Sequence, residues 1–127
     1  MTMWTWYQRE GELWHNGTRI TRGYSGAPGY VNNPDAQGLK SRGPVPRGTW
    51  TIGPPEDCCG GYALRLTGVN RDEPHRDHFL IHGDATWDSQ DASRGCIILQ
   101  RRFRVAIWES GDHALRVVRS LTTYTGE

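Results

Sequence analysis

The 127-residue sequence predicts a mainly β fold with one principal helix near residues 100–110. Three observations lead there. Short aromatic or aliphatic runs recur between turn formers, 16 Gly and 7 Pro among them, which is the signature of brief strands joined by tight turns. Six Trp provide the large apolar bodies that fill the core of a small sheet domain. Apolar residues fall at helical spacing clearly only once, after residue 100.

The elements follow in order. Residues 3–8 are aromatic and alternate, and form a strand. Glu10-Gly11 is a turn, and residues 12–15 form a second strand. Asn16-Gly17 is a strong hairpin signal, because both residues tolerate positive φ, and it predicts a third strand from Thr18 to Tyr24. The chain therefore opens as a β-meander. Residues 25–48, rich in Gly, Pro, Asn and Ser, make a long irregular segment of the kind that often carries function. Thr49 to Ile52 is a strand stopped by Gly53-Pro54-Pro55, and Tyr62 to Leu66 is another. Phe79-Leu80-Ile81 delivers His82 at its end, and Ile97-Ile98-Leu99 begins directly after Cys96. In the helix, Gln100 to Ser110, residues Phe103, Ala106 and Ile107 share one face and Gly111 ends it at C′. Arg101, Arg102 and Arg104 oppose the helix dipole and read as a solvated face. His113 to Arg119 forms the last strand.

A chain of this length predicts a single domain over residues 1–127, able to bury a core without disulfides or metals. The net charge of +1, from 15 basic and 14 acidic side chains, is no footprint for nucleic acid. No apolar run is long enough to span a membrane. The opening Met-Thr-Met-Trp-Thr-Trp-Tyr lacks the basic and apolar regions of a Sec signal, so the expectation is synthesis in the cytoplasm and another carrier for any action elsewhere. Cys58, Cys59 and Cys96 are an odd number, which argues against a disulfide framework, and neighbours such as Cys58 and Cys59 pair only in a strained ring.

Two stretches concentrate chemistry: Phe79-Leu80-Ile81-His82-Gly83-Asp84 and Ala92-Ser93-Arg94-Gly95-Cys96-Ile97. In each, a polar group adjoins an apolar strand that can hold it rigidly, and glycine allows close approach. Cys96 is the candidate nucleophile and His82 its base. The N–H groups of Gly95 and Cys96 are candidates for an oxyanion hole, and the Gly83 carbonyl or Asp84 for orienting the imidazole. A buried structural cysteine beside a hydrogen-bonded histidine is the bland alternative. The polar Ser93-Arg94-Gly95 run before Cys96 weighs against it.

His82-Gly83-Asp84 followed by Ser93-x-Gly95-Cys96 and aliphatic residues resembles the catalytic signature of L,D-transpeptidases of the YkuD type. Pro46-Arg47-Gly48-Thr49-Trp50-Thr51-Ile52 resembles a strand upstream of that signature. Gly23-Tyr24-Ser25-Gly26, Asn32-Asn33-Pro34, Gln37, the run from Gly43 to Gly48 and Trp108-Glu109-Ser110-Gly111-Asp112 are similar to a small subfamily that includes antibacterial effectors of the type VI secretion system. The resemblance spans roughly residues 4–119.

It implies a YkuD-like β-sandwich or barrel, with Cys96 as nucleophile, His82 as base, the Gly83 carbonyl orienting the imidazole, Gly95 and Cys96 forming the oxyanion hole, and Ser93 and Asp84 in support. It further implies L,D-carboxypeptidase and L,D-transpeptidase or D-amino-acid exchange on peptidoglycan tetrapeptide stems, with no cofactor. The implied partners are stem peptides, a cognate immunity protein and type VI secretion components, and the implied place of action is the periplasm of a target bacterium. Two departures stand out. Arg94 occupies a position where the wider family has histidine, and only the ten residues 83–92 separate His82 from Ser93. The planar fork of Arg94 suits a substrate carboxylate. Trp87, Tyr24, Ser25 and Asn33 are further candidates for substrate contact. Asn32 and Gln37 are cleft candidates too, unless Asn32-Asn33-Pro34 only initiates a turn.

Three other readings compete. His75, Asp77, His78, His82, Asp84 and Cys96 could ligate a metal, although their spacing does not match structural zinc sites. Cys58-Cys59 could form a passive loop or a weak redox pair, its thiols raised by Glu56 and Asp57. The whole chain could be a non-catalytic cell-wall-binding or structural module of a phage or secretion apparatus, which would not require both His82 and Cys96.

Overall fold

The computed structural model describes residues 2–84 and 93–121. Among them run nine strands: β1 (Trp4–Tyr7), β2 (Glu12–His15), β3 (Thr18–Arg22), β4 (Tyr24–Ser25), β5 (Gly48–Glu56), β6 (Ala63–Arg71), β7 (Phe79–His82), β8 (Ile97–Ile98) and β9 (Ala114–Val118). One α-helix, α1 (Arg101–Glu109), precedes β9, and a 3-10 turn covers Pro34–Ala36. The strands form one sheet in the order β3-β2-β1-β9-β5-β6-β7-β8-β4. The pairs β1–β9 and β7–β8 are parallel and the others antiparallel.

The two edges of that sheet, β3 and β4, are separated in the chain by Gly23 alone. A sheet whose opposite edges are one residue apart must curl until it nearly closes, giving the barrel-like form that the sequence predicts. Gly23 sits at the seam. Its N–H donates to the Gly11 carbonyl at 2.8 Å, and a Cβ there would come within 2.1 Å of the Ile98 carbonyl oxygen. Only a residue without a side chain allows that approach. The predicted strand from Thr18 to Tyr24 is accordingly broken here into β3 and β4.

The opening meander follows its local signals. Asn16 and Gly17 both take positive φ, 51° and 85°, as a tight hairpin turn requires. Alternation in β1 turns Trp4 and Trp6 inward, where they join Leu13, Trp50, Ile52, Leu64, Ile81, Ile97 and Leu115 in the core. Gly53-Pro54-Pro55 does not end its strand. β5 continues to Glu56, shifting register between Ile52 and Pro55, so the prolines are absorbed at an irregularity where no ladder donor is needed. β6 likewise runs on to Arg71.

Helix α1 buries Ile107 against β5, β6 and β7, and Gly111 follows its C-cap with φ of 76°. Its buried face differs from the predicted one, because Ala106 is exposed and Arg104 is buried, at 6 % exposure. Arg104 is therefore no part of a solvated face. Its Nη1 donates to the carbonyls of Gly61 (2.8 Å) and Tyr62 (3.0 Å). Arg101 and Arg102 remain exposed.

The long segment between β4 and β5 is pinned by a buried polar network. Gln8 Nε2 donates to Gln37 Oε1 (3.0 Å) and to the Val45 carbonyl (2.8 Å), and Gln37 Oε1 also accepts the Arg47 N–H (2.9 Å). Gln37 is thus a structural residue beneath the loop, not a lining of the cleft. Among the described residues, no helix is long and apolar enough to cross a membrane.

Candidate active site

The parallel register of β7 on β8 pairs Ile81 with Ile97 and His82 with Ile98. Side chains alternate along a strand, so Ile81 and Ile97 turn into the core. His82 falls on the opposite face. Extending the register one step back sets Leu80 beside Cys96, and Cys96 shares that face with His82, two residues away along the strand direction. Parallel pairing of two short apolar strands thus brings the two motif segments side by side.

His82 is oriented by its neighbour. The ring Nδ1 lies 2.8 Å from the Gly83 carbonyl, which fixes the proton on Nδ1 and leaves Nε2 as the acceptor. Asp84 does not orient the ring, since it accepts the Tyr24 hydroxyl at 2.7 Å. Gly83 is demanded by packing, as a Cβ there would lie 2.8 Å from Arg104 Nη2. Burial holds the His82 pKa below its ordinary value, the Gly83 bond opposing and the nearby Arg104 charge adding to the effect. Burial also pushes the Cys96 thiol up, against the Leu80 backbone bond and the Arg76 charge. The resting pair is therefore neutral thiol and neutral imidazole. The thiol's long hydrogen bond, 4.0 Å, goes to the His78 carbonyl.

Two buried serines shape the turn before Cys96. Ser93 Oγ accepts the N–H groups of Gly26 (2.9 Å) and Gly95 (3.1 Å) and donates to the Cys96 carbonyl (2.6 Å). Ser25 Oγ donates to the Gly95 carbonyl (2.8 Å) and accepts the Val45 N–H (2.8 Å). Ser25 is fully buried, so it is a brace behind the site and not the substrate contact that the sequence suggests. Asn33 is also corrected: it is the N-cap of the 3-10 turn, its side chain accepting the Asp35 N–H at 3.1 Å. Gly95, at φ of 133°, has its N–H engaged by Ser93 and is not a free oxyanion donor here. Arg94 is exposed and lines a cavity of about 220 Å³ together with Cys96. Trp87 lies outside the described residues.

Sequence reasoning missed Arg76. It is 3 % exposed, and its guanidinium donates to the carbonyls of Gln37, Pro44, Gly43 and Arg94. Nothing local signals this, because His75-Arg76-Asp77 reads as a polar surface run. Lys40 lies on the same cavity and has no signal in the sequence, and His78, a candidate only as a metal ligand, lines it too. Among the described residues, no three His, Cys, Asp or Glu side chains gather as a metal site. Cys58 and Cys59 are free thiols that hydrogen-bond to each other. That contact, more than any acid, pushes Cys59 up to about 11, while Glu56 pairs with Arg65.

The nearly closed sheet, with a histidine ending β7 and a cysteine directly before its parallel neighbour β8, defines a protein of L,D-transpeptidase fold. Similar folds are the L,D-transpeptidase (Yku) of Stackebrandtia nassauensis (TM-score 0.55, 16% identity, covering 94% of this chain and 56% of that one) and L,D-transpeptidase 1 of Mycobacterium tuberculosis (0.55, 17%, 92% and 58%). An L,D-transpeptidase from Mycobacterium smegmatis is also similar (0.50, 18%, 92% and 58%). The chain spans little more than half the length of these structures, and the likeness is one of fold. The chain belongs to the Tlde1 domain family, a type VI effector family, whose model matches residues 19–122. No curated protein sequence matches the chain.

Proposed function

We propose that this chain is a cysteine-dependent enzyme acting on peptidoglycan stem peptides, with L,D-carboxypeptidase and L,D-transpeptidase or exchange activity. The observation that carries the reading is the pairing of β7 with β8, which sets His82 Nε2 and Cys96 on one face while the Gly83 carbonyl holds the ring. His82 takes the thiol proton as sulfur attacks the carbonyl carbon of the stem's penultimate residue. In this reading the Cys96 N–H serves the oxyanion, and Ser93 and Gly95 fix the turn. The C–N bond then breaks, His82 gives its proton to the departing amine, and a thioester remains on Cys96. Water attacking the thioester completes hydrolysis, its proton passing through His82 back to sulfur. An amine in place of water gives exchange or a cross-link. Tyr24 and Asp84 support the His82 strand end, and Arg94 and Trp87 are the substrate contacts in this reading.

Family membership supports delivery by a type VI system into the periplasm of a rival cell, with a cognate immunity protein protecting the producer. The test is incubation with purified muropeptides followed by mass spectrometry. Wild type should shorten or exchange the terminal residue, and Cys96→Ala should not. Unchanged muropeptides with both proteins sink the enzymatic reading.

A further inference from the structure

The cavity beside Cys96 has a charge pattern that the acyl-transfer chemistry does not use. It measures about 220 Å³, below the roughly 300–1,000 Å³ of sites for drug-sized ligands, so it suits a small group. Cys96 forms part of its wall with Lys40, Arg76 and Arg94, and Asp77 is the one acid among its lining residues. That acid is turned to His78, Oδ1 lying 3.4 Å from Nε2.

The positive charge is not neutralised from within. Arg76 is buried, yet its four terminal hydrogens go to carbonyl oxygens: Nη1 to Gln37 (2.7 Å) and Pro44 (2.9 Å), Nη2 to Gly43 (3.1 Å) and Arg94 (3.1 Å). Its terminal fork is spent on the protein's own carbonyls, so it contributes field to the cavity. A buried cation satisfied only by neutral dipoles favours an anion beside it. Lys40 and Arg94 are exposed, and their side chains make no hydrogen bond or ion pair among the described residues. They supply the open donors.

Covalent geometry says which anion fits. In a peptide whose last residue is being cut off, the attacked carbonyl carbon and the terminal carboxylate carbon are joined by three bonds of about 1.33, 1.46 and 1.52 Å. They lie at most about 4 Å apart. With sulfur on the carbonyl carbon, that carboxylate is within reach of the cavity that Cys96 lines. An internal residue would bring a neutral amide instead and desolvate the cations without compensation.

We propose that this cavity is a carboxylate subsite, in which Lys40 and Arg94, backed by Arg76, hold the free α-carboxylate of the terminal residue next to the bond that Cys96 attacks. The proposal rests on the catalytic reading above and deepens it: the enzyme selects chain ends. A free amino acid acceptor occupies the same place on the reverse path.

The test measures the rate at which iodoacetamide alkylates Cys96, read by peptide mass mapping so that Cys58 and Cys59 serve as internal controls. D-alanine should slow alkylation of Cys96 several-fold and D-alaninamide should not. The protection should vanish in Lys40→Ala/Arg94→Ala while Cys58 and Cys59 react as before. A tetrapeptide carboxamide should show a KM raised roughly tenfold over the free acid, the worth of one charge-assisted hydrogen bond. Equal effects of acid and amide, no protection by either, or protection that survives the double substitution overturns the subsite. Protection with muropeptides left intact upholds the subsite and sinks the catalytic reading instead, so the two failures are distinguishable.

Discussion

By the register of β7 on β8, His82 and Cys96, the residue before β8, lie on one side of the sheet, and burial there lowers the pKa of the imidazole and raises that of the thiol. A preformed thiolate–imidazolium pair would need the opposite shifts. In the proposed mechanism, substrate therefore draws the proton across as the sulfur attacks.

This neutrality sets the pH dependence. The folded pKa of His82 lies below 6.5, so the base stays available as the medium turns mildly acidic. The acid limb of kcat/KM should fall below pH 6.5. The same depression means that the unfolded chain binds more protons than the folded one, so stability contributed by this group is complete above pH 6.5 and declines as pH drops through that value. At the other end, Cys96 should alkylate slowly at pH 7, and its rate should still be climbing past pH 9, the ordinary thiol value that burial raises. Fast alkylation at pH 7 would contradict the neutral pair.

Ser93 makes three hydrogen bonds from one hydroxyl, to Gly26, Gly95 and Cys96. Ser93→Ala leaves two buried N–H groups and a carbonyl short of a partner. Stability should drop by about 1–3 kcal/mol for each group left without a bond or water, read by urea denaturation. Because the turn carries the proposed nucleophile, kcat should fall more than KM rises. Unchanged kcat with lowered stability would make Ser93 a purely architectural residue.

Arg76 joins residues 18 to 39 positions away in sequence through its four carbonyl contacts. Arg76→Met removes both the ties and the charge that opposes the rise of the Cys96 pKa. Its melting temperature should fall, and the pH profile of Cys96 alkylation should move to higher pH. Arg76→Lys restores the charge without the four bonds, so it should recover the pH profile and not the melting temperature. Identical profiles in all three proteins would remove the electrostatic role.

Gly23→Ala places a methyl within 2.1 Å of the Ile98 carbonyl at the seam between the sheet's two edges. Overpacking of this kind costs about 1–3 kcal/mol, and the strain is against backbone that cannot rotate away. Thermal unfolding should show the loss. Gly17→Ala is the control for crowding, since nothing lies within 4 Å of the methyl it adds, although its positive φ still carries a backbone cost.

What the sequence determined by itself is local. Asn16-Gly17 and Gly111 carry their backbone geometry in their own chemistry, and the alternation of Trp4 and Trp6 announces which face is buried. The order His82-Gly83 and Ser93-x-Gly95-Cys96 was likewise legible, because the strand-end placement and the ring-to-carbonyl bond involve neighbours in the chain. Tertiary structure alone decided the rest. Pro54 and Pro55 stay within β5 because β6 accepts a register shift opposite them. Ser25 and Asn33 look like cleft residues in the sequence, but Gly95, Val45 and Asp35 claim their oxygens. Arg104 reads as a solvated charge in the sequence and Arg76 carries no signal there, but carbonyls from distant turns enclose both. Burial of a charge depends on how many dipoles the folded chain can converge on it, and a sequence read along its length contains no measure of that convergence.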